Sequence, residues 1–216
     1  GVNRNYKIQN EANGIVESFI IAEDFIEDDK VCLILGDNIF YGQNFSNILE
    51  EASKIKNGAL IFGYHVEDPE NYGVIEFNEK GKALNIVEKP EVPKSNYAVT
   101  GLYFYDNKVI NMAKNLTPSA RGELEISDIN LKYLENNNLK INMLGRGFAW
   151  LDTGNHRSLL DAGIFVQTVE ERQGLKIACL EEIAYNKKWI SKDDLRKAAK
   201  NYGKTEYGKY LKQIIE

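Results

Sequence analysis

The sequence predicts an α/β fold with a mixed, largely parallel sheet and a helical subregion at the C-terminus. Over the first 150 residues, apolar runs of strand length alternate with segments whose apolar residues recur at helical spacing. The unbroken run at 31–35 is typical of a strand buried on both faces, as in a parallel sheet. After Gly174 the strand-like runs stop and only amphipathic helical patterns remain.

The elements before residue 107 follow in a simple order. A helical pattern at 16–25 precedes the strand at 31–35, and the next helix, at 44–56, has Phe45, Ile48, Leu49 and Ala52 on one face. The apolar runs at 59–66 and 98–105 predict two further strands. Between them, the turn sequence Asn78-Glu79-Lys80-Gly81 joins two short apolar segments and predicts a hairpin of strands at 73–77 and 83–87.

The second half of the chain contains one more predicted strand, at 140–144, and is otherwise helical. Ser191, followed three residues later by Asp194, has the spacing of a capping box before a helix at 195–199. The remaining predicted helices cover residues 108–114, 123–135, 158–172 and 207–215. We expect a partial α/β domain at 1–157 and a helical region at 158–216 that packs on it.

Composition excludes several classes of protein. The 216 residues are 43% apolar and 27% charged, as in a globular domain, and not as in a disordered or collagen-like chain. The 27 basic and 32 acidic residues give a net charge of −5 with no basic block, which disfavours binding to nucleic acid or to an anionic membrane. No apolar run reaches the ~18 residues of a spanning helix, and no signal-peptide pattern is present.

The cysteines indicate a reducing compartment. Cys32 and Cys179 lie far apart within apolar stretches and form no CxxC pair, so both are interpreted as small buried hydrophobic residues. With only His65 and His156 besides, a structural zinc site lacks ligands. The expected location is the cytoplasm.

Two aspartates are candidate metal ligands. Asp37 directly follows the apolar run at 31–35, at the strand end where open α/β sheets bind ligands, and Asp152 follows a second apolar segment. Carboxylates suit Mg²⁺, which takes one or two of them and completes its shell with water and phosphate. The alternatives are a simple turn at Gly36-Asp37-Asn38 and a helix N-cap at Asp152.

Three further motifs carry groups suited to a sugar phosphate. Glu88 is suited to accept sugar hydroxyls and Lys89 to meet a phosphate, although a solvated charged pair before Pro90 is the alternative. Gly73, after Tyr72, allows close approach of a ligand to the backbone, or simply begins a strand. Arg121 precedes a predicted helix start, which favours an anion; a surface arginine followed by acidic residues is the alternative.

The residues just described fall in blocks that resemble the bacterial glucose-1-phosphate thymidylyltransferases, a family of sugar-nucleotide pyrophosphorylases. The resemblance covers essentially the whole chain, with the blocks in the same order. They are LGDNIFYG (35–42), GYHVEDPENYGVIEF (63–77), EKPEVPKSNYAVTGLYFYDN (88–107), SARGELEISDIN (119–130), GRGFAWLDTGNHRSLLDA (145–162) and EERQGLKIACLEEIA (170–184).

The resemblance implies a Rossmann-like nucleotidyltransferase that forms dTDP-glucose and pyrophosphate from dTTP and glucose 1-phosphate, for dTDP-rhamnose and surface polysaccharide. It implies a cytoplasmic homotetramer, with Asp37 and Asp152 as ligands of Mg²⁺. Catalytic roles would fall to Asp37, Lys89, Arg121 and Asp152. Substrate-binding roles would fall to Gln9, Gly14, Asp37, Asn38, Tyr72, Gly73, Glu88, Lys89 and Val99, of which Gln9 and Gly14 would recognise the thymine base.

One departure from the family pattern affects the expected activity. Members begin with the motif G-G-x-G-T-R-L and a following Lys, which clamp the triphosphate, and these 216 residues contain neither. We therefore expect this N-terminally truncated chain, taken alone, to be inactive or weak. Two alternatives remain open: an enzyme that uses UTP or CTP, and a non-catalytic subunit that binds sugar nucleotides or regulates a partner.

Overall fold

A computed structural model describes residues 3–216, which form two compact units. The first, here called the sheet unit, ends at Asp152, and the second, the helical unit, begins at Thr153. The strands are β1 (Val31–Ile34), β2 (Asn38–Gly42), β3 (Ala59–His65), β4 (Gly73–Phe77), β5 (Ala83–Glu88), β6 (Tyr97–Tyr105), β7 (Leu139–Leu144) and β8 (Phe148–Asp152). The helices are α1 (Glu17–Ile21), α2 (Glu23–Ile26), α3 (Phe45–Ser53), α4 (Lys108–Lys114), α5 (Ile126–Glu135), α6 (His156–Gln173), α7 (Leu180–Asn186), α8 (Lys192–Tyr202) and α9 (Glu206–Ile215).

The main sheet is mixed, which confirms the predicted α/β class. Its strands run in the order β5-β4-β6-β3-β7, and β1 also pairs with β6. The prediction that the strands are largely parallel is wrong. Strands β3 and β7 pair in parallel, and the other recorded pairings of this sheet are antiparallel. Short connections explain part of the difference: β4 and β5 are joined by the tight turn that the sequence predicted.

Alternation along β6 divides the apolar core of the sheet unit into two layers. Tyr103 and Tyr105 belong to a cluster with residues of α1, α4 and α5, whereas Leu102 and Phe104 pack with α3. Because successive side chains of a strand point to opposite faces, one apolar strand supplies both layers. Helices therefore cover both faces of the sheet at β6.

The end strand β1 departs from the sequence interpretation. Its residues alternate between half-buried and exposed, and Ile34 is 60% exposed. Cys32 is also exposed, so the predictions of a strand buried on both faces and of a buried Cys32 are wrong; Cys179 is buried as predicted. The physical reason is that, within residues 3–216, no element covers the face of β1 that carries Cys32 and Ile34.

A two-stranded ribbon was not predicted from the sequence. Strands β2 and β8 pair antiparallel, with Asn38 opposite Asp152 and Phe40 opposite Trp150. The sequence Gly36-Asp37-Asn38 is typical of a turn, and β2 begins at its last residue. The pattern therefore gave no indication that a strand starts there. The ribbon brings together two segments more than 100 residues apart in the chain.

The helices agree with the sequence patterns in most places. The predicted helix at 16–25 is divided into α1 and α2 at Ala22, and α5 begins three residues later than expected. In the helical unit, the capping box of Ser191 and Asp194 is confirmed, and α7 was not predicted. Cys179, Leu195, Ala199, Tyr210 and Leu211 form the buried core of this unit. No described helix is long and apolar enough to cross a membrane.

Gly58 is expected to be essential for the pairing of β3 with β7. It has φ +85°, and a Cβ there would lie 2.2 Å from the carbonyl oxygen of Asn138, which accepts the N–H of Ala59. Gly81 also has a positive φ, +76°, but a Cβ there would meet nothing. Gly81→Ala should cost about 1–2 kcal/mol of backbone strain. Gly58→Ala should cost about 1–3 kcal/mol more; equal melting temperatures for the two variants would contradict this.

Candidate active site

A cavity of about 240 Å³ in the sheet unit collects most of the residues singled out from the sequence. It lies where β5 ends, β4 begins, the ribbon of β2 and β8 reaches β6, and α5 starts. One face of β6 forms part of its wall through Val99, Gly101 and Tyr103. Eight predicted residues line it: Asn38, Tyr72, Gly73, Glu88, Lys89, Val99, Arg121 and Asp152.

Asn38 connects the ribbon to the main sheet. Its Oδ1 accepts hydrogen bonds from the backbone N–H of Gly101 at 2.9 Å and from Trp150 Nε1 at 2.6 Å. Its Nδ2 donates to Asp37 Oδ1 at 2.9 Å. One amide thus bonds to both the Asp37 carboxylate and the indole ring that lines the cavity.

Replacing Asn38 is therefore expected to destabilise the sheet unit. Asn38→Ala leaves the Trp150 and Gly101 N–H groups without their acceptor, at a cost of about 1–3 kcal/mol for each group that stays buried. Asn136→Ala is a matched control, because the amide of this exposed C-cap residue of α5 has one recorded hydrogen bond within residues 3–216, to Lys132 O. Chemical denaturation measures both; equal free energies of unfolding would refute the role assigned to Asn38.

The two aspartates have a donor set that fits a magnesium ion. Asp37 precedes Asn38, and Asn38 lies opposite Asp152 across the ribbon, so both carboxylates lie at the same end of the ribbon. The N-cap alternative for Asp152 is wrong, because Asn155 caps α6. The described residues hold no group of three or more potential metal ligands. Two carboxylates still fit Mg²⁺, which usually binds one or two of them and completes its shell with phosphate and water.

Glu88 and Lys89 occupy the edge of the cavity where β4 and β5 meet. Ser127 Oγ donates to Glu88 Oε2 at 2.5 Å, and Glu88 lies opposite Gly73 in the strand register. A Cβ at Gly73 would lie 2.6 Å from Ser127 Oγ, so only a glycine leaves room for this side chain. Gly73 also begins β4, as the alternative predicted, and the approach of a ligand to its backbone stays a prediction. Lys89 adopts φ +41°, a strained value for a side-chain residue, while its N–H donates to Tyr72 O at 3.0 Å.

Aromatic rings form another wall. The ring centroids of Tyr72 and Trp150 lie 5.1 Å apart, and those of Tyr64 and Trp150 lie 5.9 Å apart. Burial raises the pKa of the Tyr72 phenol, and the charges of Asp68 and Asp152 raise it further. The phenol therefore stays protonated at neutral pH and can donate a hydrogen bond.

Arg121 lies in the cavity wall beside carboxylates. It forms ion pairs with Glu125 and Glu123, and the hydrogen bond with Glu125 is the main cause that raises the pKa of its guanidinium. Arg121 and Lys89 are thus two cations on one cavity. The same cavity is also lined by the carboxylates of Glu88, Glu123, Glu125 and Asp152. Arg121 lies before the N-cap residue Glu125 of α5, and its ion pairs fit the alternative of an arginine followed by acidic residues. Contact of Arg121 with an anion stays a prediction.

Three predicted residues do not line the cavity. Asp37 is joined to it through Asn38. Gln9 and Gly14 lie together, because Gln9 Nε2 donates to Gly14 O at 3.0 Å, and the same amide donates to Glu17 Oε2 at 2.7 Å. Gly14 has φ +94° and packs against the backbone of Leu124, while its neighbour Ile15 does line the cavity.

Sequence reasoning missed several lining residues. Trp150, Ser127 and Glu125 all contribute side chains to the cavity. Trp150 stands two residues before Asp152, so its place in the same motif was a usable signal. Glu125 and Ser127 gave none, because acidic and hydroxyl residues before a helix are ordinary at a helix start.

Comparison with known proteins identifies the class to which this site belongs. The family model for nucleotidyl transferases matches residues 1–169. The chain belongs to the nucleotidyl transferase family.

Its relatives within that family carry a more specific name. A glucose-1-phosphate thymidylyltransferase of Neisseria meningitidis is 53% identical over 216 residues, covering all of this chain and 75% of that protein. Proteins of the same name from Neisseria gonorrhoeae and Mycobacterium tuberculosis are 55% and 49% identical, each again with 75% of its length covered.

Solved structures agree on the fold. A proposed glucose-1-phosphate thymidylyltransferase from Bacillus anthracis, in complex with sucrose, is 43% identical and superposes with a TM-score of 0.66. A UDP-glucose pyrophosphorylase with bound UDP-glucose is 19% identical with a TM-score of 0.62, which shows the fold alone. In each case the match covers 74% of this chain and 64% of the solved chain.

Proposed function

We propose that this chain carries the sugar-phosphate side of a glucose-1-phosphate thymidylyltransferase, which forms dTDP-glucose and pyrophosphate from dTTP and glucose 1-phosphate. One observation carries the proposal: the adjacent pair Glu88 and Lys89, together with Arg121 and Asp152 from two other segments of the chain, line one cavity. Relatives about half identical over the whole chain bear this enzyme's name, which supports the same substrates here.

The chemistry is an in-line displacement at phosphorus. A phosphate oxygen of glucose 1-phosphate attacks the α-phosphorus of the nucleotide, and the bond from that phosphorus to the leaving pyrophosphate breaks. No protein nucleophile is required, so the residues act through position and charge. Lys89 and Arg121 neutralise phosphate charge. Asp37 and Asp152 are the residues that would hold Mg²⁺, which supplies further neutralisation of phosphate oxygens.

The remaining residues of the site suit recognition of the two substrates. The Glu88 carboxylate, which accepts a hydrogen bond from Ser127 Oγ, is the proposed acceptor for sugar hydroxyls. Gly73 and Val99 leave room for the sugar ring beside the aromatic wall of Tyr72 and Trp150. Gln9 and Gly14, next to each other, are the proposed contacts for the base.

The proposal extends to the setting of the reaction. It includes a cytoplasmic location, a supply of dTDP-glucose for dTDP-rhamnose and surface polysaccharide, and assembly into a homotetramer. Sedimentation of the purified chain tests the assembly, because a monomer at micromolar concentration would remove it from the proposal.

Pyrophosphate release tests the function directly. The purified chain is supplied with Mg²⁺, glucose 1-phosphate and either dTTP or UTP, and the binding of glucose 1-phosphate is measured by calorimetry. Turnover with dTTP above UTP supports the proposed enzyme, and the reverse preference makes it a UTP-using sibling. Binding without turnover leaves a sugar-nucleotide-binding or regulatory module. A folded chain that neither binds nor turns over would overturn the proposal.

A further inference from the structure

One edge of the Arg121 guanidinium is held by a single carboxylate. Nε donates to Glu125 Oε1 and Nη2 donates to Glu125 Oε2, both at 3.1 Å, and Nη2 lies 3.4 Å from Glu123 Oε2. A guanidinium has N–H donors on three nitrogens, and these contacts use two of them. Among the contacts recorded for the described residues, Nη1 remains available for a ligand in the cavity that Arg121 lines.

The Glu125 carboxylate is buried, and both of its oxygens accept hydrogen bonds. The residue is only 6% exposed and stands at the N-cap position of α5, yet its side chain caps no helix N–H. Ser119 Oγ donates to Oε1 at 2.7 Å, so both carboxylate oxygens are occupied by Ser119 and Arg121. Burying a carboxylate is costly unless it is paired with a cation. The two parallel hydrogen bonds between Arg121 and Glu125 also restrict how the two groups can be oriented.

The neighbouring loop reinforces that geometry. The N–H of Arg121 donates to Ser119 Oγ at 3.2 Å, and the N–H of Gly122 donates to Ser119 O at 2.9 Å. Ser119 therefore contacts both partners of the ion pair. Without Glu125, a long arginine side chain in this loop would sample several rotamers and lose entropy on binding a ligand.

We propose that Glu125 is a positioning residue that fixes Arg121, so that Nη1 binds a phosphate group in the cavity. Whether that phosphate belongs to a sugar phosphate or to a nucleotide depends on the proposed function. Lys89, which lines the same cavity, supplies a second cation to the same class of ligand.

A double-mutant cycle distinguishes this role from a merely structural ion pair. Binding of glucose 1-phosphate and of inorganic pyrophosphate to the full chain is measured by calorimetry for Arg121→Ala, Glu125→Gln and the double variant. Each single variant should weaken binding about tenfold. The double variant should bind within about twofold of Arg121→Ala, since Glu125 acts only through Arg121. Losses that multiply to about a hundredfold would overturn the proposal.

Control variants distinguish a wrong role for Glu125 from a variant that does not fold and from a wrong sugar substrate. Glu123→Gln removes the longer contact to the same guanidinium and should change affinity less than about twofold. If Glu125→Gln does not fold, Ser119→Ala replaces it in the cycle; its expected loss of about threefold must vanish in the Arg121→Ala background. If the chain binds pyrophosphate but not glucose 1-phosphate, the proposed sugar substrate fails and the pyrophosphate cycle still decides the role of Glu125. Binding of neither probe overturns both.

Discussion

Asp37→Asn and Asp152→Asn are each expected to lower the rate of pyrophosphate release, which we expect to be weak in the unaltered chain, by about 10²–10³-fold, the typical effect of removing one preorganised electrostatic group. Each change keeps the shape of the side chain and removes the negative charge that would hold Mg²⁺. Because Asn38 and Trp150 keep the ribbon in place, the variants should fold as the unaltered chain does.

The measurement is the rate as a function of Mg²⁺ concentration, with circular dichroism to verify folding. Asp161→Asn is the matched control, since Asp161 is exposed on α6 and pairs only loosely with Arg157 at 3.8 Å. If both ribbon variants retain the rate of this control, the two aspartates do not form the metal site.

Lys89→Ala is expected to lower kcat/KM for glucose 1-phosphate by about 10²–10³-fold, because it removes a cation directed at the phosphate. Lys89→Arg should restore little of the loss. The lysine ammonium is a compact point charge, whereas the planar guanidinium presents its donors in a fork, so the two are not interchangeable at a fitted site.

Lys94→Ala provides the control for loss of a nearby positive charge. Lys94 is exposed and pairs with Glu76 at 3.2 Å, outside the cavity lining. Calorimetry with glucose 1-phosphate separates binding from turnover for both variants. An affinity for glucose 1-phosphate that is equal in Lys89→Ala and Lys94→Ala would argue against a phosphate contact at Lys89.

Much of the fold was predictable because local patterns determined it. Apolar runs located β1, β3, β6 and β7, and the turn at Asn78-Glu79-Lys80-Gly81 located the hairpin of β4 and β5. These signals depend on a few consecutive residues and the burial they require. The predictions that failed, such as burial of Cys32, depended instead on which neighbour covers a given face.

The candidate site was predictable as a set of residues but not as an arrangement. Each motif had an ordinary structural alternative, and only the order of the motifs along the chain pointed to a family. The structure brings eight of these residues to one cavity and leaves Gln9 and Gly14 beside each other outside its lining. Their contacts with substrates remain a proposal.

Sequence patterns were sufficient to predict the α/β class, most helices and strands, and the charged residues of the site. Three contacts became visible in the folded structure: β2 pairs with β8, Asn38 bonds to both Asp37 and Trp150, and Glu125 pairs with Arg121. The cause is the difference between local and distant interactions. Periodicity and turn chemistry depend on neighbours along the chain, whereas these contacts depend on the burial and hydrogen bonding of side chains that meet only once the sheet has formed.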